Sequence, residues 1–315
     1  MHPSIRVIHR IEPRSPLMVA AWPGMGNVAY GAAIYLKEGL KAVKFAEILP
    51  EGIFHRTGVQ IRDGIVEIPE LPKSEFYFYE NYRNDRDLIL FLGESQPSME
   101  HEYELARRVA EVAEGHGVQE IITFAATPVN ITHKAEPGVW GVATEKALLQ
   151  KLPACGVKIM NAGHIGGLNG LVLGVSKEQG IGGICLLGEI PFYTAKIENP
   201  KSSLAILRVF MQYTGIMVSV EGMEQMARFV EQEIERVSKS SRGAETGAGE
   251  TEAAEEKPGG ETAVPVEVRE KIEYLFKAAA ENLSRTGELK EELDRWGLFQ
   301  EYEDRFLDLF GRDNR

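Results

Sequence analysis

The stretch AAWPGMGNVAYGAAIYL, residues 20–36, decides how the chain is read. It completes an apolar run, Leu17 to Trp22, of the kind a strand covered on both faces requires. Pro23 to Asn27 then interrupt the run with two glycines, Gly24 and Gly26. From Val28 to Leu40, Ala29, Ala33, Leu36 and Leu40 recur at helical spacing. Strand, glycine turn and helix form the opening unit of an α/β sheet. The turn also fits G-x-G-x-x-[GA], and Glu47 lies near the end of the next strand, Val43–Ile48. That is about where a dinucleotide-binding fold presents its ribose-binding acid. Three readings stay open. The turn cradles a dinucleotide, or its free N–H groups hold a small anion at the helix start. Or it is structural, with Gly24 and Gly26 supplying positive φ or close packing and Asn27 capping the helix. The structural reading is favoured, because Pro23 stiffens the loop entry and a hairpin follows Glu47 where a third βα unit belongs.

That hairpin is VQIRDGIVEI, residues 59–68, turning at Asp63-Gly64. Strands are predicted at Glu75–Asn81, Asp87–Glu94, Glu120–Ala126, Val157–Gly163 and Gly182–Glu189. Helices are predicted at 100–115, 144–152, 168–179, 202–214 and 223–238. Strand and helix alternate from about residue 86, so the sheet is expected to be mostly parallel there, with the hairpin region making it mixed. The fold class is α/β, with a C-terminal helical appendage. Residues 1–237 form the core domain. Residues 238–263 hold no large apolar residue and read as a disordered acidic linker. Residues 264–315 regain helical periodicity, with Val268, Ile272, Leu275, Phe276, Ala279 and Leu283 on one face and a last helix at 299–310. That face needs a partner, either this protein's own body or another chain.

The formal net charge of -12 disfavours a general nucleic-acid binder. No apolar run reaches the length of a membrane span, and the N-terminus lacks the apolar segment of a signal peptide. The two cysteines, Cys155 and Cys185, permit no disulfide framework and no CxxC metal pair, which suits a reduced, cytoplasmic protein.

Polar residues collect where predicted strands end: Glu94 and Gln96, Thr127 and Asn130, Asn161 and His164, Glu189 and Tyr193. In open α/β sheets ligands sit at such ends, so these residues, with Gly24, Met25, Gly26, Asn27 and His133, are candidates for one ligand crevice. Glu94 and Glu189 share an apolar-run-Gly-Glu context. Side by side they would raise one pKa and serve acid–base chemistry; apart, each would accept main-chain N–H bonds from a neighbouring turn, the favoured alternative. His133 and His164 lie in loops without a metal-spaced partner. No GxSxG elbow, GxxxxGK[ST] loop or HExxH pair occurs, so no catalytic residue, metal or cofactor is assigned. The glycine-dense stretch 161–175 reads as a close-packing surface more than a phosphate cradle.

Taken together, AWPGMGNVAYGAAIYL, GESQP, His133 with EPGVWGVAT, GHIGGLNGLVLG, GICLLGEIPFY and NPKSSLAIL resemble, in order and spacing, the proteasome assembly chaperone superfamily. The likeness spans about residues 15–237. It implies a three-layer α/β/α core similar to the nucleoside phosphorylase fold, self-association that is often trimeric, and proteasome-like subunits as partners. It also identifies the glycine turn as a family turn. The hydrophobic-Tyr-any tail by which such proteins can dock is replaced by Gly311-Arg312-Asp313-Asn314-Arg315, leaving the linker and C-terminal helices as the alternative docking element. The reading is therefore a non-catalytic, homo-oligomeric binding or assembly protein. The alternative is an enzyme or sensor that takes a nucleoside-like or phosphorylated molecule in the strand-end crevice.

Overall fold

The computed structural model describes residues 4–83, 86–245, 266–281 and 285–295, with positions 298, 302, 305 and 306. The strands are β1 (Ile5–Val7), β2 (Leu17–Ala21), β3 (Val43–Ile48), β4 (Gln60–Arg62), β5 (Ile65–Glu67), β6 (Ser74–Tyr79), β7 (Leu88–Gly93), β8 (Glu120–Val129), β9 (Val139–Ala143), β10 (Lys158–Ile159) and β11 (Gly182–Pro191). The helices are α1 (Val28–Gly39), α2 (Met99–Gly115), α3 (Lys146–Leu149), α4 (Leu168–Glu178), α5 (Pro200–Thr214), α6 (Glu221–Glu245), α7 (Val266–Glu281) and α8 (Thr286–Arg295).

The most apolar segment takes the most covered place. β2 is the middle strand of a nine-stranded sheet of order β1-β3-β6-β7-β2-β8-β11-β9-β10. β7, β2, β8 and β11 run parallel, with Leu17 opposite Leu88 on one side and Glu120 on the other. β6, β3 and β1 continue antiparallel beyond β7, and β9 lies antiparallel to β11.

Alternation along these strands divides the core into two layers. Leu17, Val19 and Ala21 pack with α1 and α5 on one face. Met18, Ala20 and Trp22 pack with α2 and α4 on the other. Phe91 anchors that second layer, its ring 4.9 Å from Trp22 and 4.8 Å from Phe76. Each such side chain contributes ~1.5–3 kcal/mol by leaving water. This is the α/β/α arrangement that the family resemblance implies, and its parallel centre is the one expected from the alternation of strands and helices.

Several elements differ from expectation. The 59–68 hairpin forms, with Asp63 and Gly64 both at positive φ as its two-residue turn requires. It is a separate two-stranded sheet, however, so the mixed character comes from β1, β3, β6 and β9 instead. β1 and β9 were not anticipated, the first because its period is too short to register. The helix expected over 144–152 shrinks to α3, since Pro153 forces a 3-10 turn over Leu152–Cys155. The strand expected at 157–163 is only β10, because Gly163 at φ 156 turns the chain away.

The chain divides into two compact units, Met1–Ala248 and Gly249–Arg315. In the second, Ile272, Leu275, Phe276 and Ala279 of α7 meet Leu289 and Leu293 of α8, with Leu298 and Phe306. Lys271 and Glu292 pair across the two helices at 2.8 Å. The apolar face of α7 therefore finds cover within its own unit. α6 runs to Glu245, into the acidic stretch that begins at 238. The remainder of that stretch, 246–265, and most of the helix expected at 299–310 lie outside the described residues.

A chain shortened after Ala248 is expected to keep the first unit folded, because among the described residues none of its core lies beyond that point. Cooperative thermal unfolding and an intact near-UV spectrum would show this. Loss of both would make the second unit part of the first unit's fold.

Candidate functional site

The glycine turn that opens α1 is occupied by the protein itself. Gly26, at φ 60, donates its N–H to Ala195 O (2.7 Å), and its carbonyl accepts Asn199 N–H (2.8 Å). A Cβ on Gly26 would lie 2.7 Å from Asn199 Nδ2, so glycine is required by both conformation and space. Asn27 N–H returns to Gly24 O, and Val28 N–H to Met25 O. The donors a phosphate would need at these three residues are thus already spent. Two details of the expected turn are corrected. Gly24 is extended at φ -156, leaving positive φ to Gly26 and Asn27. Asn27 sits at the N-cap position in the left-handed conformation and does not cap; its amide donates to Glu198 Oε1 (3.1 Å).

One residue earlier, Trp22 passes beyond the last β2 pairing, with Ala21 opposite Leu92 of β7 and Ala20 opposite Thr123 of β8. Its buried main chain is paired by a side chain. Asn169 Oδ1 accepts Trp22 N–H (3.0 Å), and Asn169 Nδ2 donates to Trp22 O (3.1 Å). Gln96 extends the clamp, donating to Pro23 O (2.7 Å) and accepting the Leu168 N–H (3.1 Å) at the start of α4. Gly170 lets the loop that leads into α4 lie against the helix's first turn, since a Cβ there would meet Ile165 O at 2.2 Å. Close packing is therefore what the glycine-dense stretch does at this point.

Glu189, near the end of β11, is buried and threefold bonded. It accepts from Gly138 N–H (2.7 Å), Trp140 Nε1 (2.8 Å) and Lys158 Nζ (3.0 Å). Burial alone would push its carboxyl upward. The Lys158 ammonium and the two N–H donors outweigh burial and hold it below the usual glutamate range. It joins the loop before β9, β9 itself and β10 to β11. Glu94 accepts the Lys73 N–H (2.9 Å). β2 and β8 separate the strands of the two glutamates, about 14 Å at three strand spacings of ~4.8 Å. They form no acid–base pair, and each serves a neighbouring main chain.

His133 meets Tyr193, whose hydroxyl accepts the His133 N–H (2.8 Å) and lies 2.8 Å from Nδ1. Nε2 and Ser202 Oγ, both buried and without a protein partner, border a cavity of about 30 Å³ that Glu189 also lines. That is room for a single water and far below a ligand site of ~300 Å³ or more.

The structure thus distributes most of the candidates over four concavities, of which Asn161 and His164 line one of about 400 Å³ with Met160 and Gly163. His133 and Glu189 share the smallest. Gly26 and Asn27 border a groove of about 210 Å³ with Tyr35, Met223 and Met226. Gly24, Met25 and Gln96 line a recess of about 350 Å³ with His164, Ile165 and Asn169. The recess has the volume for a small molecule, but its amide side chains, Gln96 and Asn169, are committed to the clamp. Tyr193 stands with His133, and Glu94 with Lys73. Sequence reasoning missed Asn169, Asn199, Trp140 and Lys158. Asn169 lies in a helix and Asn199 in a loop, where nothing in spacing marks a side chain bonded to a strand end 147 residues away, as in Asn169, or a main-chain N–H bonded to Gly26, as in Asn199. Among the described residues, no group of three His, Cys, Asp or Glu side chains is placed to hold a metal ion. No described helix is long and apolar enough to cross a membrane.

Two outcomes follow from these contacts. Asn169→Ala leaves the Trp22 N–H and carbonyl buried and unpaired, and is expected to lower stability by ~2–4 kcal/mol in urea unfolding. The exposed Asn161→Ala is expected to cost less than about 0.5 kcal/mol; equal effects would refute the clamp. Glu189 contributes stability that is fully present above its ordinary value of 4.5 and is lost as pH falls through its lower folded value. Between pH 7 and 3.5, wild-type stability should therefore fall more steeply than that of Glu189→Gln. Parallel curves would show that the carboxylate does no such work.

Comparison with known proteins places this architecture. The profile of the PAC2 family matches residues 18–238. The uncharacterized protein MJ1210 of Methanocaldococcus jannaschii is 30% identical over 237 residues, covering 74% of this chain and 88% of that protein. The crystal structure of Pyrococcus furiosus PbaB, an archaeal proteasome activator, superimposes with a TM-score of 0.65 and 31% identity, over 74% of this chain and 98% of PbaB. Pyrococcus furiosus PbaA, an archaeal homolog of proteasome-assembly chaperone, shares the fold at a TM-score of 0.59 and 21% identity, over 77% of this chain and 94% of its own. With the central sheet, the glycine turn and the β11 end all inside the matched span, this chain belongs to the PAC2 family.

Proposed function

We propose that this protein is a non-catalytic, cytosolic binding protein that acts on proteasome-like subunits in their assembly and self-associates through its α/β core. The observation that carries the reading is the PAC2 family match over residues 18–238, whose fold is shared by PbaA, an archaeal homolog of proteasome-assembly chaperone. The site chemistry supports it. Glu94, Glu189 and His133 are engaged by main-chain and side-chain partners, an arrangement suited to holding a surface in shape. Beside the glycine turn, Met25, Phe192, Tyr193 and Ile197 are 42–55% exposed on two segments that Gly26 and Ala195 bond together. An apolar surface of this kind suits a protein partner. The greater identity to PbaB than to PbaA favours a second reading, in which the assembled particle is the target and its activity is what changes.

Both readings are tested by mixing the full chain with proteasome α and β subunits, and separately with assembled particles, from the organism that encodes it. Native mass spectrometry reads binding, and fluorogenic peptide hydrolysis reads activity. A complex with α subunits and faster appearance of particles is expected for assembly. Binding to the finished particle with raised hydrolysis is expected for activation. No binding to either at ~10 μM would remove the proteasome from the account.

A further inference from the structure

Two buried polar atoms border one small cavity, and neither has a partner among the described residues. Ser202 is 1% exposed, and its hydroxyl is the first of them. Other buried hydroxyls in helices are paired. Ser176 donates to Val172 O (2.6 Å), Ser203 to Val28 O (3.0 Å) and Thr214 to Phe210 O (2.8 Å). Position explains the difference. Ser202 is the third residue of α5, so residue 198, four places earlier, lies outside the helix and aligns no carbonyl for it. His133 Nε2 is the second atom, and it borders the same space of about 30 Å³ between the 131–137 loop, α5 and α6. Folded proteins seldom leave such atoms without a partner.

We propose that this cavity binds one water molecule, which joins His133, Ser202 and the carboxylate of Glu189. A buried water needs about two to four polar partners, and the cavity supplies that number. Glu189 lines it. Glu189 Oε1 accepts from Trp140 and Lys158, whereas Oε2 accepts only the Gly138 N–H and so has capacity for one more donor. Size and charge select the occupant. A water requires at least ~10–15 Å³, so the space suits one and excludes a metabolite. The Glu189 carboxylate disfavours an anion. The Lys201 ammonium, which also lines the cavity, disfavours a cation, and its own donors are committed to Glu231 (2.8 Å), Glu136 (3.3 Å) and Lys134 O (2.9 Å). Water is neutral, donates twice and accepts twice, so it satisfies the imidazole in either tautomer. It is the joint between the end of β11, the first turn of α5 and the 131–137 loop. Through His133, which meets the Tyr193 hydroxyl by two contacts of 2.8 Å, it positions the exposed Tyr193. None of this depends on whether that surface meets a proteasome subunit.

The test is a high-resolution crystal structure of the full chain, together with deuteron magnetic relaxation dispersion, which detects long-lived internal waters in solution. The wild type is expected to hold a water ~2.7–3.2 Å from His133 Nε2, Ser202 Oγ and Glu189 Oε2. Ser202→Ala, with an unchanged near-UV spectrum, is expected to shorten the residence of that water about tenfold and to lower the dispersion accordingly. Hydrogen exchange at the His133 amide is expected to quicken in the same variant, because its Tyr193 contact loosens. A wild-type cavity without ordered density, or Ser202 and His133 bonded directly to each other, overturns the site. A dispersion that Ser202→Ala leaves unchanged overturns the part given to Ser202, and an unchanged amide overturns the hold on Tyr193. If Ser202→Ala fails to fold, the wild-type density alone decides.

Discussion

The two hydrogen bonds from Asn169 to the main chain of Trp22 hold the rest of the structure in register. A parallel strand that ends inside the protein leaves a buried N–H and carbonyl with no neighbouring strand to take them, and leaving them unpaired costs as much as several surface contacts return. Here a helix supplies the pairing. Because Asn169 lies one residue inside α4, α4 can sit only where its first turn faces the end of β2. Gln96 repeats the device one residue on, tying the end of β7 to the same point. Three elements distant in sequence converge on Trp22 and Pro23 through amide side chains, which carry no charge to desolvate and both donate and accept.

The same economy governs the neighbouring turn and the far side of the sheet. Gly26 presents a main-chain edge, and the 195–199 segment pairs with it much as a short strand would. Glu189 is the one ionised group in the series, and it is tolerated in a buried place because three donors meet it. What looks from the sequence like a set of reactive side chains is a set of fasteners that hold strand ends closed. Fastened ends give a rigid surface, and rigidity is what a protein needs when its task is to present a shape to another protein.

The central architecture was legible because periodicity reports burial. LMVAAW, LILFLG and ICLLGE are continuous apolar runs, and only strands covered on both faces demand them. Gly26 and the Asp63-Gly64 turn were legible because positive φ restricts residue choice. β9 was not: in VWGVA the small Gly141 interrupts the alternation, and the segment reads as loop between Pro137 and Thr144. The fate of the strand-end residues was also hidden. Composition shows that a glutamate ends β11, but Gly138, Trp140 and Lys158 reach it only through strand pairings that local sequence does not encode. The distinction between a poised carboxylate and a committed one thus lies in long-range contacts.

The place of β2 also has a consequence for how the chain is made. Leu17 leaves the ribosome early, yet its partner Leu88 follows about 70 residues later, some 4–14 s at ~5–20 residues per second. Glu120, its partner on the other side, comes later still. Asn169, which completes the end of the strand, comes last. Through that interval the most water-averse strand of the protein has neither of its neighbours. Until those neighbours arrive, β2 is the segment of the nascent chain with the most apolar surface left to cover.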